Sequence, residues 1–150
     1  MKMINTKQEQ YAEQKMRLKR ALYGAFYYEA ILIEYAMFED RSASVLSHVG
    51  CKTHDKRGNP IGLSKKLDVI NDNPSFQIKF IKQRLSRDLI EKIRDWKNSR
   101  DVLVHNLMNI PTGNSSEAKE VAENGNELLR LFDNKVNSVN HYLDKKDLKE

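Results

Sequence analysis

Between Asn5 and His48 the only glycine or proline is Gly24. A stretch of that length with few breakers and no period-2 alternation reads as one long helix or two nearly continuous ones. Its first part, to Arg20, is highly polar. The segment Ala21 to Phe38, ALYGAFYYEAILIEYAMF, is apolar almost all round. One face carries Leu22, Phe26, Ile33 and Met37, another Tyr23, Tyr27, Ala30 and Phe38, with Glu29 and Glu34 interrupting. A helix apolar on several faces needs several neighbours. It is therefore either the central helix of a bundle or part of a dimer contact.

The rest of the chain has the same character. Gly50 to Gly62 is a basic loop with Gly58-Asn59-Pro60 as its turn chemistry. A short helix from Ser64 to Asn71 is expected next, ended by Asn73-Pro74, with Ser75 as N-cap of the next stretch. Phe76, Phe80 and Ile81 have helical spacing. A helix from about Ser86 to Met108 is either separate from that stretch or continuous with it. Ile110 to Ser115 breaks it, and Asn114 with Glu117 resembles a capping box. The last helix is expected to run to about Leu143, burying Val121, Leu128, Phe132, Val139 and Leu143, with residues 144–150 fraying. Six glycines and three prolines in 150 residues favour long regular elements. The expectation is a single all-α domain over residues 1–150. Its architecture is an up-and-down bundle of four to five helices, with a long N-terminal and a long C-terminal helix.

A chain of this length buries a core without disulfides or metal. Its net charge of +5 and pI of about 9.2 are compatible with a polyanionic partner. The lone Cys51 permits no intramolecular disulfide and suits a reducing compartment. No apolar run reaches the length of a membrane span, and MKMINTKQEQ holds no apolar signal core, so a cytoplasmic protein without a membrane partner is expected. His48, Cys51 and His54 are spaced like part of a metal site, but no fourth ligand is evident; no metal or cofactor is expected.

The stretch WKNSRDVLVHNL holds the chemistry. At alternating steps of three and four, Leu89, Ile93, Trp96, Arg100, Leu103 and Leu107 form one seam, and one of its six members is an arginine. A buried unpaired guanidinium costs several kcal/mol as an order of magnitude. Arg100 must reach the edge, meet a carboxylate such as Glu29 or Glu34, or point into a cleft that receives anions. His105 lies five residues on, on an adjacent face. Asp101 stands one turn before His105, where a carboxylate can hold an imidazole nitrogen. Asn98 adds a polar atom on that flank. An arginine fork matches phosphate oxygens, and a histidine can move protons to or from a ribose hydroxyl.

These residues resemble a known family. RDVLVH, Arg100 to His105, is similar to the Arg-x4-His motif of HEPN (higher eukaryotes and prokaryotes nucleotide-binding) domains. The polar residue after the arginine and the placement on a late helix of an α-helical bundle fit that pattern. The resemblance implies a metal-independent endoribonuclease acting as a homodimer, in which two Arg–His pairs face each other across the subunit contact in one composite cleft. It implies roles in toxin–antitoxin or antiviral defence systems. In it, Arg100 would neutralise the scissile phosphate. His105 would serve as general acid or base for 2′-hydroxyl attack, leaving a 2′,3′-cyclic phosphate and a 5′-hydroxyl, and Asp101 would orient His105. Asn98 and the loop cations Lys52, Lys56 and Arg57 would contact RNA. Antitoxin-paired members often carry a tyrosine two residues after the histidine, where this chain has Leu107. The alternative is a non-catalytic HEPN-like interaction or nucleotide-binding module, a regulator or antitoxin.

Overall fold

The computed structural model describes residues 6–107 and 116–148. They form six α-helices and one 3-10 turn: α1 (Lys7–Tyr23), α2 (Tyr27–Val49), α3 (Leu63–Asp72), the 3-10 turn (Pro74–Phe76), α4 (Lys79–Arg84), α5 (Arg87–His105) and α6 (Ser116–Leu148). No strand occurs among the described residues. The chain is all-α, as its sparse breakers dictate. Four long helices, α1, α2, α5 and α6, carry the bundle, and the short α3 and α4 lie between α2 and α5 in the chain. The expected cap at Asn114, and Met108 at the end of the motif helix, lie outside the described residues.

Thr6 starts α1 through a capping box: its hydroxyl accepts from Glu9 N at 3.1 Å, and the Glu9 carboxylate accepts from Thr6 N at 3.2 Å. The long N-terminal stretch then divides in two. Gly24 N donates to Arg20 O and Phe26 N to Ala21 O, while Ala25 takes a left-handed φ of 60°. This corner turns α2 back along α1 and leaves Tyr23 and Phe26 95% and 63% exposed, not on the apolar faces expected of them. Gly50, at φ 92°, closes α2, and Cys51 N donates to Leu46 O. Asn73, not Ser75, caps the turn after α3, accepting from Ser75 N at 2.9 Å. Ser86 caps α5 and accepts from Leu89 N, so α4 and α5 are separate helices.

The central position falls to α2, which packs against α1, α3 and α6. Phe38, fully buried, meets Trp96 of α5 with ring centroids 4.9 Å apart and Phe132 of α6 at 5.9 Å. The Trp96 indole N–H donates to Val121 O at 2.8 Å, tying α5 to α6. On α6 the buried line is Ala118, Ala122, Gly125, Leu129, Phe132, Val136 and Val139. Val121 and Leu128, expected inside, sit half-buried beside it. The helix continues past Leu143 to Leu148.

Candidate active site

Four members of the α5 seam, Leu89, Ile93, Trp96 and Leu103, are buried. Leu107 is 45% exposed. Arg100 leans out of the seam toward α2, where its guanidinium lies over the Tyr35 ring, 4.2 Å from the centroid. Its Nη1 donates to Asp101 Oδ1 at 2.8 Å, while its Nε is buried and makes no hydrogen bond among the described residues. A fifth of the side chain stays accessible. Neither Glu29 nor Glu34 holds it. Glu29 lies 4.0 Å from Arg17, and Glu34 is fully buried elsewhere.

Asp101 is shared between two cations. Lys97, one turn earlier, donates to Oδ2 at 2.7 Å, and Arg100 to Oδ1. Partial burial pushes the carboxyl up, but these two hydrogen bonds and the charges behind them outweigh it and hold Asp101 below the usual carboxylate range. Burial raises the Tyr35 hydroxyl, with Glu39 adding to the shift and Lys97 and Arg100 opposing it. The result is an anchored cluster of Tyr35, Lys97, Arg100 and Asp101 on the α2/α5 side. Tyr35 and Lys97 had no assigned part in the sequence pattern; the signal for Lys97 was its four-residue spacing from Asp101.

His105 is the last residue of α5 and is exposed. It stands roughly 7.5 Å along the axis from Arg100. Both Asp101 oxygens are bonded to Lys97 and Arg100, and no bond among the described residues joins Asp101 to His105. Within one chain no hydrogen bond among the described residues joins His105 to Arg100 or Asp101. Asn98 faces the other way, into a groove between α5 and α6.

The basic loop is held by its own hydrogen bonds. Asp55 accepts from Arg57 N and Asn59 N, Ile61 N donates to Thr53 O, and Gly58 adopts a φ of 83°. This small hairpin-like turn displays Lys52, Lys56 and Arg57 to solvent. No hydrogen bond or ion pair among the described residues links them to Arg100. His48 Nδ1 bonds Ser44 O, His54 Nδ1 bonds the Thr53 hydroxyl, and burial pushes the Cys51 thiol up, away from the reactive thiolate. Among the described residues no group of three or more His, Cys, Asp or Glu side chains is arranged to hold a metal ion. Among them, too, no helix is long and apolar enough to cross a membrane.

Comparison with protein-family models, with curated proteins and with solved structures finds no match for the chain.

Proposed function

We propose that the protein is a metal-independent endoribonuclease of the HEPN type, working as a homodimer with Arg100 and His105 of both copies around one cleft. The observation that carries the reading is the state of Arg100. It leaves a hydrophobic seam, is not neutralised by a core carboxylate, and presents a guanidinium pre-positioned by Tyr35 and Asp101 with its Nε unsatisfied. A guanidinium held this way binds a phosphate without first losing its side-chain freedom.

The surface beside it supports association. Tyr28, Leu32 and Tyr35 share one face of α2 by their four- and three-residue spacing. Leu32 is 57% exposed and Val104, next to His105, is 36% exposed. An apolar surface bordering a half-buried cation favours a second copy there. In that dimer Arg100 would stabilise negative charge on the scissile phosphate and His105 would transfer protons at the 2′-hydroxyl or the leaving oxygen. Asp101 acts on Arg100 in the single chain, so its part is to position the guanidinium. Toxin–antitoxin or antiviral defence is the setting that the resemblance implies, and a cytoplasmic location goes with RNA as substrate.

The test is cleavage of labelled RNA in excess EDTA. The expected result is cleavage ending in 2′,3′-cyclic phosphate, lost in both Arg100→Ala and His105→Ala while the circular-dichroism melts are kept. Cleavage that persists in both variants refutes the assignment. A folded, dimeric protein with no cleavage of any RNA supports the non-catalytic module, for which the closed Lys97–Asp101–Arg100 network is the favouring observation.

A further inference from the structure

A large groove lies on a different face of α5 from the one that presents Arg100. It has a volume of about 1190 Å³ between α5 and α6, running from Lys92 to Asn106 on one wall and from Glu117 to Leu131 on the other. Each wall rises roughly 21 Å, the length of a helix of about four turns. Its apolar lining includes Val102 and Leu131, 61% and 44% exposed, and the half-buried Val121 and Leu128. Contiguous apolar surface of this kind, rimmed by polar groups, marks an interaction site.

The charge on the rim is the second observation. Asp95, Glu117, Glu120 and Glu127 line the groove against a single cation, Lys92, on a chain whose net charge is +5. None of these four carboxylates makes an ion pair among the described residues, whereas Asp40, Asp68, Asp72, Asp88 and Asp133 all do. Lys92 itself is turned to Asp88 at 3.1 Å. Four carboxylates without an ion pair among the described residues thus stand beside one exposed apolar strip. A nucleic acid is repelled there, and an acidic peptide equally so.

We propose that the α5/α6 groove docks a basic amphipathic helix of a partner protein. Such a helix carries apolar residues at i, i+3 or i+4, and i+7 to cover Val102, Val121, Leu128 and Leu131, and lysines or arginines on its flanks to meet the four carboxylates. Helix-in-groove recognition uses this spacing, and complementary charge supplies selectivity and encounter rate. The proposal is independent of the nuclease reading, because the groove and the Arg100 cluster lie on different faces of α5. Asn98, which lines the groove, would serve the docked helix and not RNA.

The test uses two synthetic four-turn amphipathic helices with identical leucine spacing, one flanked by lysines and one by glutamates. Trp96, the only tryptophan, lines the groove, so its emission reports occupancy. The lysine peptide is expected to bind and shift Trp96 emission, and the glutamate peptide is not. The double variant Glu120→Lys/Glu127→Lys should weaken the lysine peptide by about tenfold or more and admit the glutamate peptide. Leu131→Asp should abolish both, and RNA cleavage should be unchanged in every groove variant. Equal binding of both peptides, or charge reversal without effect, overturns the proposal. So does a concentration-dependent increase in mass that Leu131→Asp removes, which would make a second copy the occupant.

Discussion

Glu34 is the residue whose chemistry the fold changes most. Its side chain is fully buried, and neither carboxyl oxygen has a hydrogen-bond partner among the described residues. Burial pushes its pKa from the ordinary 4.5 up to about 9. Between those two values the folded chain keeps a proton that the unfolded chain releases. Glu34's own contribution to stability should therefore be fully present below about pH 4.5 and decline as pH climbs toward 9, by on the order of 3 kcal/mol at neutral pH. Glu34→Gln removes the ionisation. It should raise the melting temperature at pH 8, do little at pH 4, and flatten the pH profile between. An unchanged profile would show that Glu34 stays charged in the fold. At Arg100, lysine keeps the charge but loses the planar fork over Tyr35, so Arg100→Lys should lose most RNA cleavage with little change in melting temperature. His105→Ala should lower the cleavage rate by roughly a hundred- to ten-thousand-fold.

Among the elements, α6 shows how small residues conceal a packing face. Ala118, Ala122, Gly125, Leu129, Phe132, Val136 and Val139 recur at alternating steps of four and three and are all buried. A reading weighted by side-chain size selects Val121 and Leu128 instead, one position off that line, and these border the groove. Gly125 is needed for close approach. A methyl group there would meet Glu34 Oε1 and lie 2.7 Å from Trp96 Nε1. Gly125→Ala should destabilise the protein by about 1–3 kcal/mol through overpacking, despite alanine's better helix propensity. Denaturant titration would measure the loss. Combined with Glu34→Ala, which vacates that space, the cost should fall below the sum of the single costs. The corner between α1 and α2 is a second case: Gly24 marks the break, yet Ala25 carries the left-handed φ of 60°. Ala25→Gly should stabilise the turn by about 0.5–1 kcal/mol, because the relief of left-handed strain exceeds the added chain entropy, and a lowered melting temperature would refute that account.

At the scale of the whole molecule, the nuclease proposal predicts complementation. Arg100→Ala and His105→Ala chains, each inactive alone, should recover a fraction of the cleavage when unfolded together and refolded as mixed dimers. No recovery would mean that both side chains act from one copy. The all-helical class, the loop at Gly50 to Gly62 and the oddity of Arg100 were legible in the sequence, because they depend on local spacing and on where glycine and proline fall. The partners of Arg100 were not. Rotation about α5 makes Asp101 a neighbour of both Arg100 and His105, and only the packing of α2 and the reach of Lys97 assign it to the arginine. The sequence by itself determined helices, their approximate ends and a charge that cannot stay buried alone, since each arises from short-range geometry. The tertiary structure alone decided which face of each helix is inside, why Glu34 lies buried without a hydrogen-bond partner among the described residues, and that an acidic groove opens on another face of the motif helix, since each depends on how distant helices pack.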